Sequence, residues 1–346
     1  MNSRERMYAT VDFKTPDRAP RNLWALGWVW MYEKDKIEAI SKEFPDDFTG
    51  AGYMGKSDRA RGGDGKGGTD YVDEWGCLWQ LGEDGMAGEV KGPPIGDWSA
   101  LATYQPPWEI LERADFDAVN RAQDANLKSD NPKWMNCGTS IRPFERLQFL
   151  RGSENLYLDM GYDSAEFRRL VAMVHEFFMK ELQGAVKTNA DSINFMDDWG
   201  SQKALLISPE MWREYFKPLY KDYCDLIKKS GKKIFFHSDG HIASIYPDLI
   251  ELGVTAVNSQ LFCMDIEELA RLYKGRITIW GEICRQWILP FGTVEDVRRA
   301  VGRVRRAFDD GRGGLIAQCE WGAHNPIDNI RAVFEAWMEP IDQLPK

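Results

Sequence analysis

Two segments in the last third of the chain place side chains that can bind a metal at the ends of short apolar runs. Residues 235–240 read Phe-Phe-His-Ser-Asp-Gly, and residues 316–320 read Ile-Ala-Gln-Cys-Glu. Imidazole, carboxylate and thiolate are the groups that zinc prefers. Each run is typical of a buried strand, and parallel strands of an α/β fold bring such groups together at their carboxyl ends. His237, Asp239 and Cys319 therefore predict a metal centre.

The ligand set has alternatives. We expect His237 and Cys319 to bind zinc. The third ligand is either Asp239 or Glu282, which ends a later predicted strand. Asp239 could instead cap the following helix through backbone amides, and Glu282 could equally be a general acid or the charge partner of Arg285. A satisfied core histidine and a buried structural thiol are the plain alternatives for the first two residues.

Further candidate residues follow the predicted strands. Asp197 and Asp198 are adjacent, and because neighbours on a strand face opposite ways, only one can point inward. We expect one to contact the substrate or support the site and the other to cap a loop; Asp198 and Glu282 are the predicted catalytic residues. Most of the 14 tryptophans fill the core, but several together could line a cavity for an aromatic ligand or a quaternary ammonium. The predicted substrate contacts are Trp24, Trp28, Asp197, Trp199, Asn258, Trp280 and Trp321.

Strand and helix patterns alternate from residue 130 onward. The predicted strands are residues 134–138, 193–196, 233–236, 255–257, 276–280 and 315–318, with an earlier strand at 21–25. Such alternation requires a parallel sheet. We predict a single (β/α)8 TIM barrel over residues 1–346, and an open doubly wound sheet is the alternative. The polar residues at strand ends favour the barrel, because barrel enzymes build their active sites on that face.

The segment 59–70 has a different composition, with five glycines in seven residues. Gly63-x-Gly65-x-x-Gly68 matches the dinucleotide-binding pattern, but no strand precedes it and no helix follows, so the required context is missing. We predict a mobile surface loop near the barrel mouth, followed by a β-hairpin over residues 70–80. Both would decorate the N-terminal part of the domain, residues 1–130.

Composition excludes several classes of protein. The 346 residues carry a net charge of −10 with a pI near 5.1, which argues against nucleic-acid binding. No apolar run is long enough for a membrane helix, and the first residues lack the apolar stretch of a signal peptide. Six scattered cysteines without a CxxC pair are typical of reduced thiols, so we expect a cytoplasmic protein. A homodimer is compatible with these features.

Several segments resemble the uroporphyrinogen decarboxylase-like superfamily, which contains the decarboxylase and zinc-dependent methyltransferases that act with corrinoid proteins. These segments span nearly the whole chain, and they are Pro16-Asp17-Arg18-Ala19-Pro20, Pro143-Phe144-Glu145-Arg146, residues 150–155, Asp197-Asp198, Ser208-Pro209, residues 237–240 and residues 326–330. The resemblance implies a barrel of the uroporphyrinogen decarboxylase type.

Departures from the decarboxylase pattern favour the methyltransferases. The decarboxylase has an Arg-x-x-x-Arg pair after its first strand that binds substrate carboxylates, whereas residues 23–30 here contain no arginine. The decarboxylase also has a histidine ten residues before the asparagine of a C-terminal Pro-x-x-Asn segment, and ten residues before Asn329 this chain has Cys319. The zinc methyltransferases use His-x-Cys and this later cysteine as ligands. His237-x-Asp239 departs from that pattern at the middle ligand.

The resemblance implies a methyltransferase that moves a methyl group between a small substrate and the cobalt of a corrinoid protein. The chain has no Asp-x-His-x-x-Gly cobalamin motif, so the corrinoid would be carried by a partner protein. Zinc would act as a Lewis acid on the departing oxygen, and a carboxylate ligand in place of a thiolate, together with the tryptophans, favours a methoxylated aromatic donor. A decarboxylase acting on another carboxylated substrate is one alternative, and a non-catalytic corrinoid-binding member is another.

Overall fold

In a computed structural model that describes all residues from Met1 to Lys346, eight parallel strands form one sheet that curls into a nearly closed barrel. The strands are β1 (Arg21–Ala25), β2 (Phe48–Thr49), β3 (Trp134–Gly138), β4 (Ser192–Met196), β5 (Lys233–Ser238), β6 (Ala256–Ser259), β7 (Thr278–Gly281) and β8 (Leu315–Trp321). Their order in the sheet is β1-β8-β7-β6-β5-β4-β3-β2. This topology confirms the predicted (β/α)8 barrel.

Two aspartates hold the seam between β1 and β2. The backbone N–H of Leu23 donates to Oδ1 of Asp46 at 2.8 Å, and that of Arg21 donates to Oδ2 of Asp47 at 2.7 Å. The N–H of Asp47 in turn donates to the carbonyl of Arg21 at 3.0 Å. Side-chain acceptors thus replace a continuous strand ladder at the seam. The sequence did not predict β2, because two residues are too short to show any periodicity.

Helices follow most of the strands and cover the outside of the barrel. They are α1 (Ser3–Val11), α2 (Gly27–Tyr32), α3 (Lys34–Glu43), α4 (Trp108–Glu112), α5 (Phe116–Leu127), α6 (Pro143–Arg151), α7 (Ser153–Tyr162), α8 (Ala165–Ala185), α9 (Pro209–Met211), α10 (Lys217–Lys229), α11 (Tyr246–Leu252), α12 (Ile266–Tyr273), α13 (Ile288–Phe291), α14 (Val294–Phe308) and α15 (Ile327–Met338). A π-helical turn, Trp212–Phe216, joins α9 to α10. Ser208 begins this stretch as predicted, since its hydroxyl accepts the N–H of Met211 at 3.2 Å.

The sheet separates two apolar layers. The smaller layer fills the lower interior of the barrel and includes Met7 and Val11 of α1, Phe235 and Ile316. The larger layer lies between the strands and the surrounding helices. Because side chains on a strand alternate, each strand contributes every second residue to the interior and the others to the outer layer. None of the helices combines the length and the apolar character that crossing a bilayer requires.

A small antiparallel sheet lies beside the barrel. Its strands are Arg61–Gly62, Asp70–Val72, Leu78–Gln80 and Glu89–Gly92. The middle pair is the predicted hairpin, and its turn is held by Asp73, which accepts the N–H groups of Trp75 and Cys77. The glycine-rich segment is not only a loop as predicted, because Arg61–Gly62 pairs with Tyr71 and Val72. Four of its glycines have positive φ between 76° and 84°, a backbone conformation that other residues rarely adopt.

Candidate functional site

A histidine and two aspartates meet at the carboxyl ends of β4 and β5. Nε2 of His237 lies 3.5 Å from Oδ1 of Asp198 and 3.5 Å from Oδ1 of Asp239. One ligand atom from each residue lies within 4.8 Å of the other two. The backbone N–H of Asp239 donates to Oδ1 of Asp198 at 2.9 Å, which links the two loops. The group has the donor types and the spacing of a metal site.

The orientation of His237 is set by Asn258 on the neighbouring strand. The amide Nδ2 of Asn258 donates to the carbonyl of Trp280 at 2.6 Å, so its Oδ1 faces Nδ1 of His237, also at 2.6 Å. An amide oxygen only accepts, so Nδ1 carries the proton. Burial alone would lower the pKa of His237, but the nearby carboxylates, chiefly Asp198 and Asp239, outweigh it and raise the pKa. Asn258, a predicted substrate contact, is therefore a residue that positions the histidine.

Arg285, in the loop after β7, neutralises the acidic groups around the cluster. Its guanidinium pairs with Oδ2 of Asp239 and with Glu320, and its Nε lies 3.7 Å from Glu282. Because Oδ2 of Asp239 is taken by the arginine, Oδ1 remains, and this buried oxygen has no hydrogen-bond partner within the protein. The arginine thus leaves one carboxylate oxygen facing His237.

Glu282 and Glu145 are buried acidic residues at the same mouth of the barrel. Burial raises the pKa of Glu282 to about 8; Arg285 opposes this rise, and the charges of Glu320 and Asp239 add to it. Burial, with the charge of Asp198, raises the pKa of Glu145 to about 7. Each has one buried carboxyl oxygen without a partner. Glu145 is not among the predicted site residues; its signals in the sequence are its place just inside the helix that follows β3 and in a segment that resembles the family.

Asp197 and Asp198 face opposite ways, as alternation predicts, and this corrects the role expected for Asp197. Its carboxylate is buried and accepts the backbone N–H groups of Phe144 and Glu145, each at 2.9 Å, and the hydroxyl of Tyr220 at 3.0 Å. It anchors the first turn of α6 by accepting two N–H groups that have no partner within the helix, although burial and the charge of Glu145 raise its pKa well above the usual range. Asp197 has no free oxygen facing the mouth and is a structural residue.

Cys319 does not join the cluster, which corrects the expected ligand set. Its thiol is fully buried in the layer between the sheet and the helices. Glu320, the next residue on β8, faces the mouth and pairs with Arg285, so the alternation of a strand turns Cys319 to the opposite face. Glu282, one of the two alternatives for the third ligand, also lies outside the group, whereas Asp239, the other alternative, belongs to it. Asp198 takes the place expected for Cys319.

The predicted tryptophans divide between the two faces of the sheet. Trp199 is buried in the outer layer, stacks on Phe144 with ring centres 4.2 Å apart, and donates Nε1–H to Tyr220. Trp321 is also buried in the outer layer, so neither contacts the mouth. Trp28 lies on the rim, with its ring centre 4.3 Å from that of His324.

Trp24 and Trp280 face the barrel interior. The ring of Trp24 lies 5.4 Å from that of His237 and 5.1 Å from that of Trp280. Both tryptophans line a cavity of about 380 Å³, a volume that suits a small ligand. The other side chains that shape the cavity are Asn22, Asp46, Phe48, Thr49, Asn136 and Asn194. Burial raises the pKa of Asp46 to about 7.

A barrel whose carboxyl-end loops gather a histidine, acids of raised pKa and an adjoining cavity is the arrangement of (β/α)8 enzymes. The family model of uroporphyrinogen decarboxylase (URO-D) matches residues 74–339, and the chain belongs to this family. No curated protein matches the chain by sequence.

One solved structure with a TM-score above 0.5 has the same fold, and two further similar structures lie below that value. A methyltransferase from Methanosarcina mazei aligns over 97% of this chain and 98% of its own length, with a TM-score of 0.71 and 14% identity. A chitinase from Chromobacterium violaceum aligns over 93% and 100%, with a TM-score of 0.41 and 10% identity. An endo-β-1,4-xylanase from Gloeophyllum trabeum aligns over 71% and 91%, with a TM-score of 0.40 and 11% identity.

Proposed function

We propose that the protein is a methyltransferase that moves a methyl group between a small methylated substrate, with a methoxylated aromatic favoured, and the cobalt of a corrinoid carried by a partner protein, assisted by zinc. The observation that carries the proposal is the group of Asp198, His237 and Asp239 at the barrel mouth. Family membership and the likeness in fold to the methyltransferase from Methanosarcina mazei support it.

The residues at the mouth fit a zinc ion. Nδ1 of His237 donates to Asn258, so Nε2 is the nitrogen that faces the two aspartates and would bind the ion in the neutral imidazole. Zinc-binding histidines have such a partner on the other ring nitrogen, which fixes the tautomer and the ring orientation. Oδ1 of Asp239 is buried without a partner, a costly state for a carboxylate oxygen unless a cation satisfies it. His237, Asp198 and Asp239 would hold the ion.

The chemistry requires that a departing oxygen be stabilised and then protonated. When bound, zinc supplies Lewis acidity to that oxygen. The partner's reduced corrinoid would take the methyl group with its own electron pair, and the methyl–oxygen bond would break with its electrons on oxygen. Glu282, whose pKa burial raises to about 8, holds a proton at neutral pH and can donate it to the phenolate.

The rim of the mouth offers a surface for the corrinoid partner. Trp30 and Tyr32 of α2 are half exposed, and Trp287 and Phe291 near α13 are more than two-thirds exposed. Both helices follow strands whose carboxyl ends form the mouth. Exposed aromatic residues of this kind mark protein-binding surfaces, so a carrier bound there would bring its cobalt towards the cluster.

Decarboxylation of another carboxylated substrate is the second candidate, since the family model is that of the decarboxylase. The charges at the mouth disfavour it. Asp239, Glu282 and Glu320 surround Arg285, and each of its three nitrogens faces one of these acids. A substrate carboxylate at Arg285 would meet repulsion from Asp239 and Glu320, and this arginine is not free to bind it.

The test is a pair of assays on one preparation. The protein, a reduced corrinoid protein and methoxylated aromatics are mixed, and the absorbance of methylcobalamin is followed; decarboxylation of porphyrinogens is measured in parallel. We expect methyl transfer that a chelator abolishes and that zinc restores. His237→Ala should show neither transfer nor restoration, while Asn189→Ala, an exposed surface change, should behave as the wild type. Decarboxylation without methyl transfer would overturn the proposal.

A further inference from the structure

The cavity inside the barrel carries hydrogen-bonding groups that the protein itself does not use. We infer that it binds an uncharged aryl methyl ether that also bears a hydroxyl group, in preference to a carboxylated ether or a quaternary ammonium. This inference rests on the proposed methyltransferase and names its substrate class. Its basis is the amide groups, the charges and the ring geometry of the cavity wall.

Three asparagines provide donors and an acceptor to the cavity. Oδ1 of Asn22 accepts Nε1–H of Trp280 at 3.0 Å, and Oδ1 of Asn136 accepts the hydroxyl of Ser192 at 2.8 Å. These bonds fix the amide orientations. Nδ2 of Asn136 remains a donor to the cavity, and the amide of Asn22 also meets the carboxyl group of Asp46. Oδ1 of Asn194 is buried and has no partner within the protein. A ligand with an ether oxygen and a hydroxyl group can accept from Asn136 and donate to Asn194.

The charge of the cavity wall excludes an anion. No lysine or arginine lines the cavity, and the only ionisable side chain there is that of Asp46. A carboxylate that enters would lose its water without gaining a counter-charge, and it would lie near another carboxyl group. Arg285, the nearest cation to the cluster, is held by three acids.

The arrangement of the rings disfavours a quaternary ammonium. Such ions are bound by aromatic faces that surround one point. Here Phe48 stacks on Trp280 with ring centres 5.7 Å apart and planes 5° apart, and Trp24 meets Trp280 edge-on at 85°. Phe48 therefore covers a face of Trp280, and the three rings do not turn their free faces toward one point. The partly exposed rings of Trp24 and Phe48 leave apolar surface on which an aryl ligand can pack.

Equilibrium binding to the metal-free wild-type protein tests the inference without turnover. The probes are 2-methoxyphenol, its matched anion 4-hydroxy-3-methoxybenzoate, and tetramethylammonium, followed by calorimetry and by tryptophan fluorescence. We expect saturable binding of the phenol and binding of the benzoate about 100-fold weaker, as for a carboxylate buried without a partner. Equal affinity for the benzoate, or preference for the ammonium ion, overturns the inference.

A variant series separates this inference from the proposed function. Asn194 makes no side-chain hydrogen bond within the protein, so Asn194→Ala leaves the fold intact, and we expect it to weaken 2-methoxyphenol binding about tenfold. Asn189→Ala, on the surface, is the matched control. Methyl transfer from 2-methoxyphenol that Asn194→Ala leaves unchanged overturns the inference alone. Binding as expected without any methyl transfer overturns the proposed function instead.

Discussion

Nδ1 of His237 lies 2.6 Å from Oδ1 of Asn258, and this bond decides which ring nitrogen faces the two aspartates. The asparagine is itself oriented by the carbonyl of Trp280. A chain of two hydrogen bonds across three neighbouring strands thus fixes the tautomer of the histidine. The strand register that aligns His237, Asn258 and Trp280 is therefore part of the candidate metal centre.

Replacing Asn258 should weaken zinc binding although the residue is not a ligand. In Asn258→Ala the ring of His237 loses its partner, so we expect the zinc dissociation constant to rise about 10- to 100-fold. Asn258→Asp keeps an acceptor for Nδ1–H and should lose less. The measurement is competition with a chromophoric chelator. Equal zinc affinity in Asn258→Ala and the wild type would show that the bond does not orient a ligand.

Metal content distinguishes the ligand set of the structure from that expected from the sequence. His237→Ala should lose zinc, because two carboxylates alone are too few donors. Cys319→Ser should keep zinc at one ion per chain, because the thiol lies on the other face of β8. Elemental analysis after gel filtration gives both values. Zinc loss in a folded Cys319→Ser protein would restore the cysteine to the ligand set.

The adjacent aspartates should respond in opposite ways to the same substitution. Asp197→Asn removes an acceptor oxygen from a buried carboxyl group with three donors, so we expect the free energy of unfolding to fall by about 2–3 kcal/mol. Asp198→Asn should change stability little but should reduce zinc binding. Urea denaturation and zinc titration of both variants test this contrast, and each variant is the control for the other.

The sequence was sufficient for the barrel and for the strand ends that carry the chemistry. Seven of the eight strands show apolar runs, and His237, Asp239 and Asp198 follow them directly. The sequence did not show which residues of a strand face the barrel interior and which face the surrounding helices. Gln318, Cys319 and Glu320 are consecutive, and a change of one position in the register exchanges the residue that faces the mouth.

Contacts between distant segments were also outside the reach of sequence reasoning. From the sequence, Arg285 is expected only as a partner of Glu282, three residues away. In the structure it also binds Asp239 and Glu320, which lie on other strands or loops. Glu145 reaches the same mouth from α6. Such groupings depend on loop conformations after each strand, and no spacing in the sequence encodes them.

The buried acid Glu282 should make stability and turnover depend on pH. Burial raises its pKa from 4.5 to about 8, so the folded state holds a proton that the unfolded state releases. The contribution of this proton to stability is fully present below the unfolded pKa and is lost as pH rises through the folded pKa. We expect the free energy of unfolding of the metal-free protein to fall across this window relative to Glu282→Gln, with a slope of up to about 1.4 kcal/mol per pH unit.

The Glu282→Gln comparison also separates a proton donor from a merely buried acid. Glutamine keeps the size of the side chain but cannot donate a proton of this acidity. If Glu282 protonates the departing phenolate, kcat of the wild type should decline above about pH 8, and Glu282→Gln should have a low kcat without this decline. Glu145→Gln is the matched control, since burial raises that pKa to about 7 instead. A wild-type profile that stays flat through pH 9 would remove Glu282 from the reaction and leave it as the partner of Arg285.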